Sequence, residues 1–195
     1  GCPSELQLVV LPYRQDKADE LRSASALGNV TDVKHLLQLP QDPNSPGGET
    51  GPQAFTPLQC AADNGHLEVV QVLLEAMALP ATEPLWISAA HGHVEVVQCL
   101  IDAGASKDKA EKTGSTALQV AARNGQLEVV DCLVKATADV NKADRFGISP
   151  LRISAASGRL DVVKHLFSAN ARLEQADLEG HNALWMAAYT GQLQV

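Results

Sequence analysis

The chain has 195 residues, of which 45% are apolar and only 4% aromatic. Its formal net charge is −8, from 15 Lys and Arg against 23 Asp and Glu. A net acidic surface repels phosphate backbones, so nucleic-acid binding is not expected. No apolar stretch approaches the ~18 residues of a membrane span and no secretory signal is present, so membrane insertion is not expected either.

The four cysteines, Cys2, Cys60, Cys99 and Cys132, lie far apart and form no CxxC pair. Free thiols without a secretory signal predict an intracellular, cytoplasmic setting. The first residue is Gly rather than Met, so we expect the natural N-terminus to lie further upstream.

Two segments lie outside any helical pattern. Residues 1–18 form an N-terminal extension in which residues 5–11 (ELQLVVL) alternate in strand fashion. We interpret them as a remnant strand of an upstream domain. Residues 39–53 are rich in Pro and Gly and predict a flexible surface insertion.

An internal repeat dominates the rest of the chain. A Leu followed seven residues later by a Gly recurs six times, and the last three Gly-to-Gly intervals are each 33 residues. The pairs are Leu21/Gly28, Leu58/Gly65, Leu85/Gly92, Leu118/Gly125, Leu151/Gly158 and Leu184/Gly191. Such self-similarity predicts a stacked repeat architecture.

Each unit is predicted to contain two short helices. Residues able to cap a first helix are Thr56, Thr116 and Ser149. Prolines predicted at the first helical position are Pro57, Pro84 and Pro150. The recurring Gly ends the first helix, because only Gly enters the left-handed conformation at little cost. The second helix carries an apolar stripe that only a neighbouring unit can bury.

The units are joined by turn-forming stretches such as Ala143–Gly147 and Ala176–Gly180. Gly after acidic or polar residues is typical of a tight turn. We expect these stretches to project as fingers between units.

This pattern closely resembles the ankyrin repeat, whose T-P-L core and G-H-x-E-V-V-x-x-L-L run are matched here. The resemblance covers residues 19–195. It implies an all-α solenoid of stacked helix-turn-helix units with β-turn fingers, in which fingers and first helices line a concave face. The predicted units lie near 19–53, 54–80, 81–111, 112–144, 145–177 and 178–195. Because the last unit is truncated and has no polar cap, we expect a fragment of a longer array.

The family's usual His after T-P-L is replaced in every matched unit. The replacements are Gln59, Trp86, Gln119, Arg152 and Trp185. That His normally ties neighbouring units by hydrogen bonding, so we expect weaker ties between units here.

No enzyme motif is present: there is no GxSxG, GxGxxG, Walker loop or HExxH. We therefore predict no catalysis, no cofactor and no metal. His66 and His93 could suggest a metal site, but they hold equivalent positions in units stacked about 10 Å apart. We expect them instead to satisfy backbone groups in turns.

Positions that vary between units are free to specify a partner, and two sets vary: residues flanking the finger Gly, and the pair before the helix-ending Gly. The predicted partner-binding residues are Lys112, Thr113, Ser115, Arg123, Asn124, Arg145, Phe146, Ile148, Leu178, Glu179, His181 and Tyr189. Phe146 has two interpretations: an exposed anchor for a partner, or a side chain folded back on Leu151 or a neighbouring finger.

The sequence thus predicts a monomeric scaffold that binds another protein through the concave face and finger tips. One alternative is the targeting or regulatory arm of a larger enzyme or channel. Another is an inert spacer. The full open reading frame would distinguish the scaffold from an arm of a larger enzyme or channel. Substitutions in the fingers would distinguish the scaffold from a spacer, because in a spacer they would not change any association.

Overall fold

The structure is a computed structural model that describes residues 15–40, 42–46, 55–76, 78, 82–111 and 114–192. The strand predicted for residues 5–11 and much of the 39–53 insertion lie outside the described residues. Within the described ranges the regular structure consists of eleven α-helices, with no strand. The all-α prediction is therefore confirmed.

The helices come in pairs joined by a short turn. Their bounds are α1 Gln15–Ala26, α2 Val30–Leu37, α3 Pro57–Asp63, α4 Leu67–Glu75, α5 Thr82–His91, α6 Val94–Asp102, α7 Ala117–Asn124, α8 Leu127–Lys135, α9 Pro150–Ala156, α10 Leu160–Ser168 and α11 Ala183–Tyr189. Helix α1 begins four residues before the predicted start of the array at residue 19.

The pairs stack in sequence and form two layers. The first helices α1, α3, α5, α7, α9 and α11 each pack on the next, and so do the second helices α2, α4, α6, α8 and α10. The core lies between the layers, where the recurring Leu is at most 2% exposed at positions 21, 58, 85, 118 and 151. Leu184, in the last described helix, is 73% exposed.

Hydrogen bonds at the helix starts follow the predicted caps. The Thr56 hydroxyl accepts from the backbone N–H of Gln59, and the Gln59 side chain accepts in return from the N–H of Thr56. Thr116 and Gln119 repeat this capping box. The exception is α5, which begins at Thr82, so Pro84 is its third residue rather than its first. A Pro is tolerated there because the first-turn N–H groups have no partner within the helix.

The glycines that end the first helices also make room for the next unit. Gly65 has φ +72, and a Cβ added to it would stand 2.6 Å from Nδ1 of His93. His93 Nε2 donates to the carbonyl of Asp63 at 2.9 Å, and His66 Nε2 does the same to Ala26 at 3.0 Å. The turn histidines therefore satisfy backbone groups, as predicted.

The same column continues along the array with other side chains. Gln126 Nε2 donates to the carbonyl of Ala90 at 3.4 Å, and Arg159 Nε donates to the carbonyl of Arg123 at 3.2 Å. Each unit therefore reaches back to the end of the preceding first helix. This column fixes the position of one first helix against the next.

Candidate partner-binding surface

The fingers are tight turns closed by an acidic residue. In finger 144–148, the Asp144 carboxylate accepts from the N–H groups of Phe146 and Ile148, both at 2.9 Å. The carbonyl of Asp144 accepts from Gly147 at 3.0 Å, and its N–H donates to the carbonyl of Ile148 at 3.1 Å. Asp177 makes the same four bonds in finger 177–181. The β-turn fingers expected from the resemblance are present.

Neighbouring fingers contact each other through their backbones. The N–H of Leu178 donates to the carbonyl of Phe146 at 3.1 Å. Gly147 lies so close to the next finger that a Cβ on it would stand 3.0 Å from Cα of Asp177. Fingers 144–148 and 177–181 therefore form one continuous surface.

Two residues at the position of the family's usual His connect their own units to the next finger by hydrogen bonds. Gln119 Nε2 donates to the carbonyl of Ile148. Buried Arg152 donates from Nε to the carbonyl of His181 at 3.3 Å and forms an ion pair with Asp177. The longer side chains at these two positions therefore keep a hydrogen bond to the next finger in the absence of the family's His.

The Asp177 carboxylate is stabilised in its charged form. The backbone N–H of His181 contributes most, and the N–H of Glu179 and the guanidinium of Arg152 add to it. Together they hold the pKa of Asp177 below its usual range. This finger is therefore closed most firmly while Asp177 is ionised.

The predicted partner-binding residues differ widely in exposure. Ile148 and His181 are half-buried, and Ser115 is only 6% exposed, so Ser115 offers little surface to a partner. Lys112 and Thr113 lie outside the described residues. The exposed members are Arg123, Asn124, Arg145, Phe146, Leu178, Glu179 and Tyr189.

Phe146 is 58% exposed on finger 144–148, which favours its interpretation as an exposed anchor. Asn124 is exposed but partly engaged, because its side-chain amide donates to the carbonyl of Ala90 at 2.8 Å. Of the two, Phe146 is therefore the freer to contact a partner.

An aromatic stack lies beside the fingers. The His181 and Trp185 rings have centroids 3.6 Å apart and planes inclined by 17°. Trp185 and Tyr189 follow at 4.9 Å and 12°, and Tyr189 is 75% exposed. His181 and Tyr189 are among the predicted partner-binding residues, but the stack itself was not predicted. For Trp185 and Tyr189 the available signal was their spacing of four residues, which places both side chains on one face of α11. His181 precedes this helix, and its place in the stack follows from the fold of finger 177–181.

Asp177, Glu179 and His181 also bring three ligand-type atoms within 4.8 Å of one another. Asp177 already accepts two backbone hydrogen bonds and pairs with Arg152. The positive charge of Arg152 opposes a cation at this position. We assign the group to closure of the finger.

Stacked helix pairs with hydrogen-bonded fingers define a helical repeat protein. A family model described as ankyrin repeats (3 copies) matches residues 21–109 and 79–144. The chain therefore belongs to the ankyrin repeat family, whose members are generally protein–protein interaction modules and typically non-catalytic. A search of curated proteins finds no match to this chain. Within the described ranges, no helix is long and apolar enough to cross a membrane.

Proposed function

We propose that this chain is a non-catalytic module that binds one partner protein through fingers 144–148 and 177–181 together with helix α11. The observation that carries the proposal is a set of exposed apolar and aromatic side chains on one continuous surface. Phe146 is 58% exposed, Leu178 79%, Trp185 43% and Tyr189 75%. Exposed apolar groups of this kind typically mark an interaction site.

The scaffold beneath these side chains is ordered before any partner arrives. The finger backbones are bonded to each other, and Arg152 joins the preceding first helix to finger 177–181. A preorganised surface loses less conformational entropy on association. The exposed aromatic side chains therefore lose little additional conformational entropy when a partner binds.

The described cysteines, Cys60, Cys99 and Cys132, form no disulfide bonds with one another. Cysteines that stay reduced suit a reducing compartment, so we place the binding event inside the cell.

The test is a quantitative comparison of proteins retained from cell lysate by the immobilised chain and two single variants. Phe146→Glu alters the finger surface. Phe167→Glu is the matched control, because Phe167 is 56% exposed but belongs to second helix α10. Loss of an aromatic anchor typically costs about 2 kcal/mol, or roughly 30-fold in affinity.

We expect a protein retained by the parent chain and by Phe167→Glu to be lost from Phe146→Glu, while all three melt alike. Equal retention by all three would move the site away from the fingers. No specifically retained protein would favour the inert spacer.

A further inference from the structure

The second-helix layer carries an open groove that the proposed function does not use. It has a volume of about 1020 Å³ and runs across α6 and α8, bordered by α4 and by His165 of α10. Its apolar lining includes Leu67, Val94 and Leu127, and Leu127 is 37% exposed. The groove thus offers an apolar floor on the layer opposite to the first helices.

Carboxylates surround this floor. The groove is lined by Glu95, Asp102, Glu128 and Asp131. Glu95 and Glu128 are exposed, and neither forms an ion pair with any residue that the structure describes. The rim therefore presents negative charge that is not neutralised within the chain.

The Lys at the groove is directed at one carboxylate. Lys135 Nζ lies 2.6 Å from Oδ2 of Asp131, and His165 Nε2 lies 3.5 Å from Oδ1 of the same residue. Lys135 offsets the charge of Asp131, so the carboxylates of Glu95, Asp102 and Glu128 give the groove its negative charge.

The two thiols in the groove respond to this charge. Burial raises the pKa of Cys99, and the charge of Asp102 raises it further. Burial also raises the pKa of Cys132, with further contributions from Asp131 and Asp102 that outweigh the opposite effect of Lys135. The carboxylates at the groove therefore add to the effect of burial on the pKa of both thiols.

The second-helix layer around the groove is rich in carboxylates. Helices α4, α6 and α8 together contain six carboxylates and one Lys. The groove therefore suits a partner of positive charge.

We propose that this groove is a second docking surface, which binds a basic amphipathic helix of a partner protein. An amphipathic helix places its apolar face in such a groove and its charged edges on the rim. Glu95 and Asp102 are seven residues apart on α6, about 10 Å along the helix axis. Lys or Arg side chains seven residues apart on the incoming helix match this spacing, and its Leu-like residues cover Leu127 and Val94.

The probe is a synthetic amphipathic helix of Leu and Lys, labelled with a fluorophore, and binding to the full chain is measured by anisotropy. The rim variant is Glu95→Gln with Glu128→Gln. The matched control is Glu83→Gln with Glu174→Gln, which removes the same charge from exposed residues outside the groove. Two further variants are Leu127→Ser for the floor and Phe146→Ser for the finger surface.

We expect the rim variant to weaken binding by about tenfold and to reduce its salt dependence, because rim charges act through screened attraction. Leu127→Ser also weakens binding, while the control and Phe146→Ser change it by less than about twofold. The proposal is overturned if the rim variant binds like the control. It is equally overturned if the parent chain binds a Leu/Lys peptide of scrambled order as well as the amphipathic one, or binds neither. A loss caused by Phe146→Ser alone would place the peptide on the finger surface.

Discussion

The side chains that reach back over the helix-ending glycines predict that two Gly→Ala substitutions will lower the free energy of unfolding by different amounts. Gly65 and Gly104 both have positive φ, +72 and +92. A Cβ at Gly65 would meet the His93 ring at 2.6 Å, whereas a Cβ at Gly104 would meet nothing within 4 Å. Replacing each by Ala therefore separates backbone strain from the contact between units.

The expected destabilisation follows from these two contributions. The left-handed conformation costs a residue with a Cβ about 1–2 kcal/mol, which applies to both variants. In Gly65→Ala the His93 ring must also move, and its bond to the carbonyl of Asp63 is worth about 1 kcal/mol. We expect the free energy of unfolding to fall by about 2–3 kcal/mol for Gly65→Ala and by about 1–2 kcal/mol for Gly104→Ala. The entropic effect of Ala on the unfolded chain is common to both and cancels in the difference.

Urea denaturation followed by far-UV circular dichroism measures both values. A double-mutant cycle with His93→Ala then tests the cause, since the excess cost of Gly65→Ala should disappear when the ring is absent. Equal destabilisation by the two Gly→Ala changes would refute the assignment of this column as a tie between units. So would an excess that persists in the His93→Ala background.

Two further predictions concern the ties to the fingers. Gln59 and Gln119 make the same capping box, but among the residues that the structure describes Gln119 alone of the two is bonded to the next finger, at Ile148. We expect Gln119→Ala to cost about 1 kcal/mol more than Gln59→Ala in urea unfolding, and equal costs would contradict the tie. Backbone hydrogen bonds and the Arg152 guanidinium hold the folded-state pKa of Asp177 below its ordinary value, so the contribution of Asp177 to stability is present above that ordinary value and is lost as the pH falls through the folded pKa. We expect Asp177→Asn to destabilise the chain at pH 7 and the difference from the parent to shrink under acid unfolding conditions; a constant difference would contradict this role.

The repeat architecture could be predicted from sequence because it depends on local chemistry. Thr116 caps its helix through bonds to a residue three positions away, and Gly65 ends its helix through its own backbone conformation. Both requirements recur with the period of the array. A pattern that is local and repeated can be recognised from the amino-acid sequence alone.

The ties between units were harder to predict because they join residues about thirty positions apart in sequence. Gln119 and Arg152 were expected to weaken the ties, since neither is the family's usual His. Whether a substitute reaches the next finger depends on the length of its side chain and on where the fold places that finger. Ser115 illustrates the same limit, because a variable position beside a finger Gly proved to be buried.

The aromatic stack shows how the scaffold and the candidate surface depend on each other. Trp185 occupies the column in which Gln119 and Arg152 reach across to the next finger. In the described residues Trp185 stacks instead between His181 and Tyr189, with 43% of its surface exposed. Arg152 bonds the carbonyl of His181 and thereby helps to position the first ring of the stack. The residues that hold one unit to the next therefore also set the orientation of the aromatic surface, so that loss of the Arg152 tie should loosen the stack as well as the array.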